Sequence, residues 1–403
     1  MSTPTADFPW QGQLVRPDPS KPDLVHLTRA LATLCGVPQI NSMPATRELI
    51  DQIGVADHYV FVLLDGLGSN LVRKLPEDSF MRRHLRQEIR SVCPSTTACA
   101  LTSVATGYWP GQHGVTGWFT YLPDRRLSIT TLPFTDRWSG ESLTARGMVI
   151  EDILPLPAMH TRMSYSQMTL LPSAIQDTVY ARYSRGGTPA MGYTSIANAI
   201  DLTIATVSAA KQRSYLHLYI PDIDTGCHHH GISDPGVEQL VKDIDRELAR
   251  LASELNGRAR IVVSADHGLI DVPLTNHMSL FHDSPLMKLL EAPPAGDARL
   301  PVFHVREGMH DRFVAAFHER YGSKMALMRT ADAERLNVLG AGPMSPLGRR
   351  RFGDFIGIAF MDATLHYVPP VRTDSPQTPP KKPYLAQHAG MSRDEMEIPL
   401  IIA

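Results

Sequence analysis

Apolar residues along this chain gather into short runs and one long helical stripe, and these fix the first elements. His58 to Leu64, HYVFVLL, is a continuous apolar run of strand length, the pattern of a strand covered on both faces. It ends in Asp65-Gly66-Leu67-Gly68, a strand-to-loop turn. Tyr215 to Ile220 reads as a second strand, followed by a polar, His-rich loop. Arg260 to Ser264 reads as a third and runs into Ala265-Asp266-His267-Gly268. Between the second and third strands, Val237, Leu240, Val241, Ile244, Leu248, Leu251 and Leu255 keep helical spacing. Ser233 is the expected cap of that helix, Pro235 lies in its first turn, and Asn256-Gly257 stops it.

A strand, a long helix and another strand read as a βαβ crossover in a mostly parallel sheet. The expected fold class is α/β, with helices layered on both sides of that sheet. In such sheets, ligands bind in loops beyond the carboxyl ends of the strands. Asp65, the loop after Ile220, and Asp266-His267 all lie at such ends. Residues 1–54 are expected as an N-terminal arm with a short helix at Leu24 to Leu34. Residues 55–271 and 352–403 are expected to form the α/β core, ending in a strand at Ile398 to Ala403. Residues 272–351 are expected to form an inserted cap subdomain, with a helix at His310 to Tyr321 and an apolar segment at Leu300 to Val305. Pro369 to Pro383 is a Pro-rich connector.

Composition narrows the class of partner. The 39 basic and 41 acidic side chains nearly cancel, which argues against a dedicated nucleic-acid binder or a polybasic membrane anchor. Cys93 and Cys99 have neither metal-finger nor CxxC spacing, so the four cysteines read as reduced thiols. The N-terminus lacks a basic stretch followed by an apolar run, the mark of a secretory signal, and no apolar run reaches bilayer length. The expected location is cytoplasmic, away from the membrane.

The candidate chemistry lies in four separated places: Asp65; Asp224 with His228; Asp266 with His267; and His388. Carboxylate and imidazole suit a borderline cation such as zinc, with manganese or iron as alternatives. Six ligands are too many for one catalytic zinc with an open position and suit two metals in one cleft. Each piece has a plainer reading. Asp65-Gly66 is also a common turn, and His228-His229-His230 is also a solvated loop. The candidate nucleophile lies in Cys93-Pro94-Ser95-Thr96-Thr97, before a helix expected to run to Thr106-Gly107. A hydroxyl there meets free backbone N–H groups that suit a phosphoryl oxygen. Ser95 or Thr96 as a simple helix cap is the alternative.

LLDGLG, CPSTTACALTSVATG with PGQHG after it, PDIDTGCHHHG, SADHG and QHAGMSRDEMEIPLI occur in this order. Together they resemble the alkaline phosphatase superfamily, nearest its type I phosphodiesterase/nucleotide pyrophosphatase branch. The resemblance implies a three-layer α/β/α sandwich and a hydrolase of small phosphate esters with two divalent metals. By the same resemblance Thr97 is the nucleophile, with Thr96 the nearby alternative. Asp65, Asp266 and His267 match the ligands of the metal that binds the nucleophile. Asp224 and His228, in D-x-x-x-H spacing, match the other metal's ligands together with His388. Asp222 falls outside that spacing, His229 and His230 match no ligand, and His113 matches a structural position.

Two departures bear on the substrate. Nucleotide-cleaving relatives often carry an aromatic ring directly after the nucleophile, where this chain has Ala98. Some also carry an Asn where this chain has Trp118, beside Phe119 and Tyr121. A phosphodiesterase is the first expectation. A phosphomonoesterase, with Arg349, Arg350 and Arg351 as extra cations, or a phosphonate hydrolase is the alternative on the same site. A non-catalytic metal-binding scaffold is the reading from another class. The C-x-P/A-x-R pattern of a sulfatase is absent from Cys93 to Thr97, and no GxSxG elbow, Walker A loop or GxGxxG fingerprint stands in a convincing context.

Overall fold

The computed structural model describes residues 14–16, 18–38, 43–370 and 382–403. The N-terminal arm up to residue 13 and most of the Pro-rich connector lie outside the described residues. The expected helix at Leu24–Leu34 forms, with Asp23 as its cap.

His58–Leu64 is the middle strand of a seven-stranded sheet, and all seven of its residues are buried. Side chains on both faces of this strand are apolar because helices cover the sheet on both sides. Ser214–Ile220 and Arg260–Ser264 flank it in parallel. Ser166–Pro172 and then Ala190–Tyr193 extend the sheet on one side, also in parallel. On the other side Glu397–Ile402 runs antiparallel to its two neighbours, Arg260–Ser264 and Leu85–Arg90. The fold is the expected three-layer α/β/α sandwich of the alkaline phosphatase type.

Register matters more than strand order here. Leu64 lies opposite Ile220, and Leu63 opposite Ser264. Three strands therefore end side by side, and the residues that follow them open onto one place. The amphipathic helix Pro235–Leu255 buries Val237, Val241, Ile244, Leu248, Leu251 and Leu255. Its cap is Asp234, whose carboxylate accepts from the Gly236 N–H, rather than the expected Ser233. Asn256, with φ +45°, ends it in the left-handed region.

A second seven-stranded sheet is antiparallel throughout. It runs in the order Met325–Arg329, Phe355–Ala359, Leu300–Phe303, Ala295–Asp297, Phe119–Leu122, Leu127–Thr130, Thr135–Asp136. The boundaries drawn from the sequence at 272 and 351 cut across this sheet. Residues 119–136 and Phe355–Ala359, both assigned to the core, supply four of its strands. Pairing of Gly296 with Phe119 joins segments far apart in the chain, and local periodicity carries no trace of it.

Candidate active site

The turn after His58–Leu64 presents Asp65. Its backbone N–H donates to Ile220 O at 2.9 Å, and its own carbonyl accepts from Asp224 N at 3.1 Å. Gly66, with φ +77°, lets the chain pass close to Asp224: a Cβ there would lie 2.9 Å from Asp224 Cα. The phenol of Tyr219 donates to Asp65 Oδ2, leaving Oδ1 without a hydrogen-bond partner.

Asp266 is fixed by backbone N–H groups instead. Its Oδ1 accepts from Gly66 N at 3.0 Å and from His267 N at 2.8 Å, which leaves the buried Oδ2 unpartnered. Gly268 is obligatory, since a Cβ there would sit 2.0 Å from Asp394 O. His267 Nε2 then faces Asp65 Oδ1 at 3.5 Å and Asp266 Oδ2 at 3.4 Å.

The segment expected to be a His-rich loop is a helix, Asp222–His230. D-x-x-x-H is one helical turn, so Asp224 and His228 share a face. His228 Nε2 lies 3.3 Å from Asp224 Oδ1, while its Nδ1 sits 2.8 Å from Ala386 O. That second contact is the kind of partner that fixes a ligand ring's orientation. His388 Nε2 approaches the same Asp224 oxygen at 3.8 Å, and its ring stacks on His267 with centroids 3.9 Å apart.

Ligand atoms of Asp224, His228 and His388 all lie within 4.8 Å of one another, and so do those of Asp65, Asp224 and His267. Five of the six expected ligands fall in these two overlapping groups, and Asp266 adjoins them through His267, whose Nε2 lies 3.4 Å from Asp266 Oδ2. Asp224 belongs to both groups, whereas the resemblance placed it with His228 and His388 alone. Asp222 opens the helix and His229 and His230 are exposed on it; none of the three joins either group.

Thr97 is the first residue of the helix Thr97–Thr106 and is 7% exposed. Its Oγ1 lies 3.1 Å from His267 Nε2. Thr96 occupies the cap position but makes no side-chain capping hydrogen bond. Ser95 donates instead to Gly390 O at 2.7 Å, tying the segment before Thr97 to the loop that carries His388. His113 is packed between Ser103 Oγ and Val115 N, both at 3.1 Å, which is a structural position.

Burial governs the electrostatics of the cluster. Burial, with the neighbouring Asp266, pushes the Asp65 carboxyl well above the usual range. Burial pushes Asp266 to about 7, and burial with Asp65 raises Asp224 strongly. Burial lowers His228 and His267 to about 4, and burial with those two rings lowers His388 further. Three buried carboxyls beside imidazoles held neutral, with ring nitrogens free to bind, are the donor set that suits divalent cations. The orphaned oxygens Asp65 Oδ1, Asp224 Oδ1 and Asp266 Oδ2 point the same way. The residues present fit divalent metals.

Some participants were not visible in the sequence. Tyr219 follows from strand alternation only once the register is known. Arg299, from a turn of the second sheet, forms a buried bidentate pair with Glu395. The S-x-x-E spacing of Ser392 and Glu395 is a readable capping box, and the two do form one, but nothing local pointed to Arg299. The candidate cations of the monoesterase reading are engaged elsewhere. Arg349 pairs with Glu334, Arg350 with Asp124, and Arg351 is buried with Nη1 3.4 Å from Gly114 O.

Among known proteins, the type I phosphodiesterase/nucleotide pyrophosphatase family profile matches residues 59–359. No curated protein sequence matches the chain. Human ectonucleotide pyrophosphatase/phosphodiesterase 5 has a similar structure, with a TM-score of 0.61 at 16% identity over 85% of this chain and 87% of that one. The murine protein of the same name aligns at TM-score 0.59 and 14% identity, with the same 85% and 87% coverage. An inactive variant of the murine protein in complex with AMP aligns at 0.58 and 14%, again over 85% and 87%. Profile, fold and the gathering of the motif residues agree: the chain belongs to the type I phosphodiesterase/nucleotide pyrophosphatase family of the alkaline phosphatase superfamily, a family of hydrolases acting on phosphate ester bonds.

Proposed function

We propose that this protein is a two-metal phosphodiesterase that works through a covalent phosphothreonine at Thr97. The observation that carries the proposal is the position of Thr97 Oγ1, 3.1 Å from His267 Nε2 at the edge of the six-ligand cluster. One cation would be held by Asp65, Asp266 and His267, the other by Asp224, His228 and His388. When bound, zinc (or manganese or iron) would neutralise the phosphoryl charge and favour the alkoxide of Thr97.

The chain's own residues account for the rest. The first turn of Thr97–Thr106 offers backbone N–H groups to the phosphoryl oxygens. Thr97 Oγ1 bonds to phosphorus as the bond to the first leaving oxygen breaks; the proton Oγ1 loses passes to solvent, and the leaving oxygen takes one up to depart as the first alcohol. Water then bonds to phosphorus as the Oγ1–phosphorus bond breaks, one proton returns to Oγ1, and the phosphate monoester leaves as the second product. Two displacements retain configuration at phosphorus. Trapping of a phosphoenzyme with a chiral diester that reacts with retention is the test; inversion without a trapped intermediate would overturn it.

A diester is favoured over a monoester because Arg349, Arg350 and Arg351 are engaged elsewhere. Bis-p-nitrophenyl phosphate should therefore be cleaved faster than p-nitrophenyl phosphate. Ala98, fully buried, offers no ring beside the nucleophile, so base stacking at that position is not part of this reading. A small phosphate ester remains the substrate class, in keeping with the AMP complex of the murine relative. No helix among the described residues is long and apolar enough to cross a membrane. The cytoplasmic location proposed here goes with four buried cysteines in no disulfide.

A further inference from the structure

Arg299 is the largest fully buried side chain among the described residues, and it lies in the turn between Ala295–Asp297 and Leu300–Phe303 of the second sheet, away from the ligand-bearing one. Its Nε and Nη2 donate to the two oxygens of Glu395 at 2.6 and 2.9 Å. Nη1 donates to Met361 O and Ala363 O at 3.1 and 2.8 Å, so the guanidinium is tied to its own sheet region as well. Glu395, itself 0% exposed, accepts further from Gly390 N at 2.7 Å and from Ser392 N and Oγ at 3.2 and 2.7 Å.

Those bonds shape the loop of His388. Between His388 and Gly390, Ala389 stands at φ +88°, a region that a residue with a Cβ rarely adopts. Such a conformation persists only where its surroundings over-determine it. Here Ala389 N donates to Ser95 O at 2.8 Å on one side, and Glu395 grips Gly390 on the other. Gly390 permits the grip, since a Cβ there would meet both Glu395 oxygens at 2.7 Å.

We propose that Arg299 and Glu395 are positioning residues for the metal held by Asp224, His228 and His388. Together they hold the strained Ala389 turn that aims the His388 ring. A buried ion pair is by itself weak support for stability, and an apolar pair of similar size often replaces one at no cost. A strained ligand loop gives this pair a reason to be ionic and forked. The inference rests on the two-metal reading above.

The test is titration of the metal-free full chain with Zn²⁺ against a chromophoric chelator. The parent protein should take up two equivalents. Glu395→Gln should keep one at parental affinity and bind the other about 10- to 100-fold more weakly, the usual effect of losing a partner behind a ligand. Adding Ala389→Gly to Glu395→Gln should recover most of that loss, because glycine adopts φ +88° without strain. A merely structural role would not produce that rescue. If Glu395→Gln does not fold, Arg299→Lys is read in the same way, as it keeps the charge but loses the fork. Two parental-affinity equivalents in the variant would overturn the inference. Fewer than two in the parent would instead overturn the two-metal reading.

Discussion

The two halves of the cluster are built differently. Asp65, Asp266 and His267 follow directly on neighbouring strands of one sheet, and their side chains are 0–3% exposed. Asp224, His228 and His388 come from a helix and from a loop near the C-terminus, and are 12–15% exposed. In the first half the strands and their turns aim the carboxylates: Gly66 N and His267 N hold Asp266, and the Tyr219 phenol on the neighbouring strand holds Asp65. In the second, side chains and distant segments do that work: Ala386 O behind His228, and Glu395 with Arg299 behind the His388 loop. Ligands on paired strands are preorganised by the sheet itself, whereas ligands on loops need braces.

Thr97 belongs to neither half, and its loss should have the largest effect. Thr97→Ala should lower kcat for diester cleavage by about 10⁴-fold or more and abolish the trapped phosphoenzyme. Undiminished turnover would move the nucleophile to Thr96 or to water.

The comparison itself is broken or sharpened one ligand at a time. Asp266→Asn, in the strand-anchored half, should cost roughly 10³-fold in kcat/KM, and added zinc should not restore it. His388→Ala, in the braced half, should cost about 10²-fold and be partly restored by excess zinc, because Asp224 and His228 stay in place. Equal losses with equal rescue would erase the distinction. Tyr219→Phe removes only the phenol that donates to Asp65 Oδ2. It should weaken metal binding by about 10-fold, seen in the same chelator competition.

The mildest effect near neutral pH concerns histidines outside the cluster. Burial depresses His113 and His217 to about 3 and His160 to about 4. The unfolded chain, with histidines near 6.5, binds more protons than the native one below that pH. Stability is therefore intact above pH 6.5 and falls as the pH drops toward 4, by at most about 1.4 kcal/mol per pH unit for each histidine. Thermal melts between pH 7.5 and 5 check this. His217→Phe, stacked on Phe61 as the imidazole is, should flatten the slope.

Much of the site was legible because each ligand sits in a short motif beside a strongly patterned element. HYVFVLL before Asp65 and RIVVS before Ala265-Asp266 mark strands whose ends carry chemistry. The D-x-x-x-H spacing already contained a helical turn, although the polar run around it reads as loop. Turn residues outvoted it there: Gly226 and the short polar side chains lower helix propensity, and tertiary packing of Ile223 and Cys227 overrides them. The second sheet was not legible, because its strands are short and pair across long separations in the chain.

The sequence by itself determined the ligand types, their order, the parallel core and the hydroxyl before a helix, since these depend on local pattern and on motifs of a few residues. Only the tertiary structure decided that Asp224 faces both candidate ligand groups, that Thr97 rather than Thr96 turns toward His267, and that Arg299 reaches Glu395 from the second sheet's turn. Those outcomes depend on register and on long-range packing, which bring together groups that no stretch of the chain holds near one another.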